Sequence, residues 1–278
     1  MMCGCSNEKF YQDPTDTTSY NIKGNIKSLT STTFYTEMEY GEFIKGEILS
    51  KDSLNYDGKH NLLSSYYRSG YHEHYTKNEY QNNQKVSSTL FDEDQDIYAK
   101  IHYEYSESEL VCKETRYERN NEISFCTETE YNTDGNIIGI ECRSKDSHGD
   151  YSYSAIYASK QIKSEFKTSH EKIKNTMKFD KNGYIKYQSG INIKGIDTIF
   201  FESHYEYYKN KDVKLIKSYD KFPNSEIQYI VRSFTYTYDD FGNWTNRVEL
   251  INILDKKQIE DPKQRNCHIT EREITYFE

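Results

Sequence analysis

Two residue groups have types and spacings that can do chemistry. His72-Glu73-His74 sets two imidazoles two residues apart, on one face if the segment is a strand, where a metal ion could use both. No third ligand follows nearby, and two solvent-exposed histidines beside a turn after Gly70 need no ion, so no metal site is assigned. His60, His102, His148, His170, His204 and His268 are scattered. Cys112, Cys126 and Cys142 form the second group. A turn centred on Asp134 would set Cys126 opposite Cys142, within disulfide reach if the pair geometry permits; small buried hydrophobes on adjacent strands are the other reading. Their spacing is not that of a zinc site, and Cys267 has no evident partner.

Carboxylates such as Glu128 and Glu130 alternate along a strand and read as solvated charge. There is no Gly-x-Ser-x-Gly elbow and no Gly-rich phosphate loop. No catalytic or cofactor-binding residue is assigned, and the chain is read as a non-enzyme. A hydrolase on the same framework would need clustered acids, one with a raised pKa, and ranks last.

Aromatic rows carry the remaining chemistry: Ile101, Tyr103, Tyr105; Tyr151, Tyr153, Tyr157; Tyr205, Tyr207; and Phe234, Tyr236, Tyr238. If covered, such rows are core; if open, they suit stacking on sugar rings or docking a protein.

Strands must position these rows. Phe234 to Ile251 is the clearest unit, with Phe234, Tyr236 and Tyr238 alternating with Thr235 and Thr237, so that three rings share one strand face. Asp239 and Asp240 can bond to backbone amides two residues on, and Gly242 can take the positive φ that ends a short hairpin loop. Weaker copies follow Tyr56, Tyr80, Tyr105, Tyr131, Tyr157, Phe179 and Tyr208, at gaps of 22 to 30 residues. About 25 residues hold two strands of 7 to 8 residues and two turns. Tight turns enforce antiparallel pairing. The fold expected is all-β, a long antiparallel meander of hairpin repeats with roughly sixteen strands or more, drawn as an open or curled sheet. Ile26, Ser28, Thr30, Thr32, Phe34, Thr36, Met38 and Tyr40 fall on one parity of the opening strand, and the pattern breaks around Gly46. Lys160 to Lys178 also fits a helical stripe but is kept as strand because the repeat continues through it.

The 278 residues carry a net charge of -9, with 28 Tyr and 13 Phe. Tyrosine rings therefore supply the apolar surface that scarce aliphatic residues do not. Acidic balance argues against nucleic acid as the main partner. No apolar run is long enough for a membrane-spanning helix. Residues 1–20 read as a flexible tether and 21–278 as a single β-repeat domain, its partner a protein or a glycan.

Two resemblances extend this reading. Gly4-Cys5-Ser6 resembles the junction of a bacterial lipoprotein, which implies lipid attachment at Cys5 and a place in the cell envelope. Tyr238-Asp239-Asp240-Phe241-Gly242-Asn243-Trp244, Tyr131 to Ile137, Phe179 to Ile185, Tyr56 to Leu62 and Glu271 to Tyr276 resemble the YD-repeat or RHS-repeat-like proteins, especially short secreted lipoproteins of that kind from Bacteroidetes. That resemblance implies a non-enzymatic extracytoplasmic scaffold presenting a binding surface, or a glycan-binding protein using exposed tyrosine rows.

Overall fold

The computed structural model describes residues 23–277 except 40–41, 71, 83, 108–109, 134–136, 145–150, 159, 196, 224–226 and 255–259. Cys5 and the 1–20 segment lie outside the described residues. In chain order the strands are β1 Ile26–Glu39, β2 Glu42–Tyr56, β3 Leu62–Ser69, β4 His72–Gln81, β5 Gln84–Phe91 and β6 Ile97–Tyr105. Then come β7 Val111–Glu118, β8 Ile123–Tyr131, β9 Ile137–Ser144, β10 Tyr151–Ala158, β11 Gln161–Lys167 and β12 Glu171–Phe179. Last are β13 Ile185–Lys194, β14 Asp197–Tyr207, β15 Val213–Lys221, β16 Ile227–Tyr238, β17 Trp244–Leu254 and β18 Glu260–Tyr276. The stretch from Lys160 to Lys178 is the β11–β12 hairpin.

Each strand pairs antiparallel with its chain neighbours, and β1 pairs with both β2 and β18. The 18-stranded sheet is therefore a closed barrel. This corrects the open or curled sheet expected from the sequence, and with it the YD-repeat or RHS-repeat resemblance. A ring has no terminal unit to which further repeats could be added. Its wall measures about 85 Å around at ~4.8 Å per strand, and rings of 16–18 strands are wide enough to leave room for water inside. Consistent with a single wall, the large side chains fully buried among the described residues are Leu29, Ile185, Ile216 and Val213.

Side-chain parity can be followed from strand to strand through directly opposed residues. One row reads Tyr103, Glu114, Thr127, Cys142, Tyr153, Phe166, Ile173, Asn192 and Ile199 across β6 to β14. The row on the opposite face reads Glu104, Lys113, Glu128, Glu141, Ser154, Glu165 and Lys174. Side chains converge on the concave side of a curved wall and splay on the convex side. Burial follows: Ala99, Ala155 and Ile162 on the first face are buried, while Lys100, Glu104, Glu128, Glu141, Ile156 and Lys163 on the second are exposed. The first face lines the interior.

On that face Ala155, Ile162, Phe179 and Ile185 form one cluster with Tyr153, Tyr157, Met177 and Tyr205 against it. Val213, Ile216 and Phe234 form a second with Tyr205, Tyr207 and Tyr236. In β1 a register shift after Ile26 turns Leu29 and Ser31 inward. The parity set from Ser28 to Met38 therefore does not form the core. Further shifts on either side of Phe34 leave β2 irregular between Lys45 and Ser50, across Gly46.

Tyrosine hydroxyls repeat one bond around the barrel. Most odd-numbered strands begin with a β-bulge, an extra residue opposite the last aromatic of the strand before. The next tyrosine in line donates to the carbonyl of the residue that opens the bulge. Tyr80 bonds Leu62 O at 3.0 Å, Tyr105 bonds Lys85 O at 2.8 Å, Tyr131 bonds Val111 O at 2.7 Å, Tyr207 bonds Ile185 O at 2.7 Å and Tyr236 bonds Val213 O at 2.9 Å. The β10–β11 register has no such shift, and the residue at the corresponding place is Phe179, which has no hydroxyl.

Turns at this rim follow the expected chemistry. Asp239 Oδ1 accepts from the amides of Phe241 and Asn243, and Gly242 sits at φ 78°. Asp57 and Asp180 cap their turns the same way, although after Tyr56 the positive φ falls on His60 and not on Gly58. Asn243, 3% exposed, extends the turn into a clasp on the seam. Its amide exchanges bonds with Lys23 N and O at 2.6 and 2.8 Å and donates to the Tyr276 hydroxyl at 2.9 Å.

Replacing Tyr105 by Phe removes only the bond to the bulge carbonyl and is expected to lower unfolding stability by about 1 kcal/mol, read from denaturant titration. A second substitution tests the opposite face of the same logic. A Cβ on Gly190 would stand 2.3 Å from Lys174 O and 2.4 Å from the Phe201 ring. Gly190→Ala is therefore expected to cost about 2 kcal/mol or more, and an unchanged melting temperature would contradict this packing.

Candidate functional site

Binding groups are divided between the two faces of the wall. Inside, the aromatic rows all point toward the enclosed space, with Tyr103, Tyr153, Tyr157, Tyr205 and Tyr236 half-buried. They are neither a sealed core nor an outer surface. On β16 to β18 they meet a charged cluster. Glu249 lies 3.8 Å from both Arg232 Nε and His268 Nδ1. Arg272 lies 3.2 Å from the centroid of the buried Trp244 ring, and Arg247 5.4 Å from it, so the indole has guanidinium groups near it. Burial alone would raise the Glu249 pKa, but His268, Arg247 and Arg232 outweigh it and hold the carboxyl below its ordinary value. Burial also pushes the Tyr236 phenol far up, so it stays a donor at any physiological pH.

Outside, depressions of the wall among the described residues include two that gather polar groups. One, of about 820 Å³, lies over Gly139 and Ser154 and is edged by Glu104, Glu128, Glu130, Glu141 and Lys113. Lys113 Nζ holds Glu104 at 2.9 Å. These acids converge, yet Glu104, Glu128, Glu130 and Glu141 are exposed to water, without the apolar enclosure a proton-donating carboxyl requires. The other, of about 330 Å³, lies across β12 to β15. There Tyr219 donates to Glu202 Oε2 at 2.5 Å and His204 Nε2 lies 2.7 Å from Oε1. The Tyr219 bond leads the causes that lower the Glu202 pKa, and the same bond pushes Tyr219 up to about 12.

The residues singled out in the sequence come together only in part. His72 and His74 share the inward face near a rim, where His74 stacks on Tyr67 at 6.4 Å between ring centroids, but no group of three His, Cys, Asp or Glu able to hold a metal occurs among the described residues. Cys126 and Cys142 miss each other by one residue: Cys126 opposes Arg143 and Cys142 opposes Thr127, so the two thiols point to opposite faces. The shift between Glu130 and Tyr131 moves the symmetry point away from Asp134. Cys126, Cys142 and Cys267 are free thiols. The Glu249 cluster and the Glu202 network went unread. Glu202 and His204 stand at i and i+2, a visible cue to a shared face, but Tyr219 joins them only once the β14–β15 register is known.

No protein-family model matches the chain, and no curated protein matches it. Among solved structures it is similar to a porin-like protein from Bacteroides uniformis, at 10% identity and TM-score 0.46, covering 90% of this chain and 96% of that one. A porin-like protein from Bacteroides vulgatus is similar at 11% identity and TM-score 0.37, covering 92% and 99%. Similarity at this level bears on neither ligand nor mechanism.

Because the folded pKa of Glu249 is depressed, its contribution to stability is present above the ordinary glutamate range and is lost as pH falls through the lowered value. Glu249→Gln is expected to be about 2 kcal/mol less stable than the parent at pH 7, the gap narrowing toward pH 3 in denaturant titrations. A gap independent of pH would remove the carboxylate from this role.

Proposed function

We propose that this chain is a non-enzymatic binding protein of the cell envelope, a barrel that stands in water and takes its ligand on its walls. The observation that carries this reading is the sidedness of the sheet. Lys100, Glu104, Lys113, Glu128, Glu141, Lys163, Glu165, Lys172, Lys174 and Lys178 share the outer face, whereas a barrel in a bilayer needs an apolar outer band about 25 Å tall. At roughly 2 to 4 kcal/mol for each lysine or arginine at the bilayer midplane, such a wall opposes insertion. The enclosed face carries tyrosines instead, rings with a hydroxyl, which is the composition of a wetted binding surface. The porin-like names of the two similar structures belong to those proteins, and no conducting role is proposed here. Cys5 as a lipid attachment point would tether the barrel at a membrane without placing the wall in it. The partner is a protein or a glycan; the acidic balance does not favour nucleic acid.

Expression of the full-length gene product in its own organism, followed by membrane fractionation, tests the assignment. The parent is expected in the membrane fraction, and Cys5→Ser is expected to be released as a folded barrel that needs no detergent. The released protein is expected to leave planar bilayers without conductance. Folding only in detergent, or single-channel currents, would replace this reading with that of an integral pore.

A further inference from the structure

On an outer wall dominated by Lys and Glu, the depression across β12 to β15 combines an exposed ring with a row of hydroxyl and charged groups. Thr176, Ser189, Glu202 and Tyr219 are directly opposed from strand to strand and form a line across β12 to β15. Beside it runs a second line, Lys174, Ile191 and Phe200. Thr176 and Ser189 are the small members, so the depression of about 330 Å³ has a floor of two short hydroxyl side chains. Phe200 is 47% exposed and forms one bank with Ile191. Glu202 and Lys174 stand among its lining residues.

Each component has a matching group on a pyranose. The C–H face of a sugar ring is apolar and stacks on an aromatic side chain, while its hydroxyls both donate and accept. Glu202 is a prepared acceptor: Tyr219 at 2.5 Å and His204 at 2.7 Å fix its two oxygens in place, Tyr187 also bonds the carboxylate, and of its roughly four lone-pair sites these three donors leave capacity for one more. The Lys174 ammonium, 3.6 Å from Glu165 Oε2, adds donors on a flexible stem. The cavity lies at the lower end of the range for small-molecule sites, which fits one or two sugar rings and not a long chain. Rigid acceptors lower the ordering cost of binding, so a shallow site of this kind can still discriminate.

We propose that this depression is a carbohydrate subsite that takes one pyranose ring, stacked on Phe200 and hydrogen-bonded to Glu202. The proposal deepens the binding reading above by naming a ligand class and a place. The same ring can arrive as a free sugar or as the end of a glycan.

The test uses the purified full chain and a panel of neutral methyl pyranosides, with binding read by ligand-observed NMR and calorimetry. Insoluble polysaccharides in pull-down form the second arm. At least one pyranoside or polysaccharide is expected to bind. Phe200→Ala, at an outward half-exposed site, is expected to weaken it at least tenfold with little change in melting temperature, and Glu202→Gln to weaken it too. Ile156→Ala, on the same outer wall but in the other depression, serves as the control with parental affinity. Should Phe200→Ala fold poorly, Lys174→Ala, which is exposed, is expected to weaken binding severalfold in its place. Polysaccharide capture without binding of the monosaccharides identifies a glycan end as the source, and binding of both identifies the ring itself. No binding by the parent, or variants at Phe200, Glu202 and Lys174 that bind as the parent does, overturns the subsite. Either failure leaves the detergent and conductance results of the preceding section unaffected, so the two readings fall separately.

Discussion

Everything in this molecule depends on β1 bonding on both its edges. Its outer neighbours are β2, a few residues away in the chain, and β18, more than two hundred away. Without the second partnership the same hairpins would leave two long rows of unpaired amides and carbonyls, an invitation to pair with another chain. With it the sheet has no edge. Closure also turns an arbitrary choice of face into an inside and an outside, and the distribution of charge follows from that alone.

The interior of this barrel is held mainly along the wall and not across it. Tyrosines lie over the neighbouring strand and bond its carbonyls, so a ring both covers apolar surface and satisfies a polar group that the bulge has displaced. This explains how a chain poor in Leu and Val folds with few fully buried large side chains. The exception supports the rule, since Phe179 falls where the ladder has no bulge to satisfy. An aromatic wall of this kind remains half-open to whatever fills the enclosed space.

How much of this was legible in the sequence varied with the range of the interaction. The Asp239 turn was readable because its donors and acceptors lie within four residues. The period-two rows were readable because strand geometry alone puts Phe234, Tyr236 and Tyr238 together. Bulges were not, because an extra residue leaves no compositional mark; one such residue was enough to separate Cys126 from Cys142. Ring closure was not legible either, since it rests on complementarity between Leu29 and Ile274, or Ser31 and Arg272, which no local pattern announces. The Phe200 and Glu202 depression needed three registers at once.

The seam also sets the order of events during folding. Seventeen of the strand junctions join chain neighbours and can form as soon as each hairpin exists, whereas the β1–β18 ladder must find residues at opposite ends of the described chain. Contacts of such high sequence separation form late, after the loop-closure entropy has been met. Until then the incomplete ring exposes both edges at once, and a neighbouring copy in the same state offers the same complementary strands. Closure therefore competes with domain-swapped assembly, and the balance is set by protein concentration at the moment of folding.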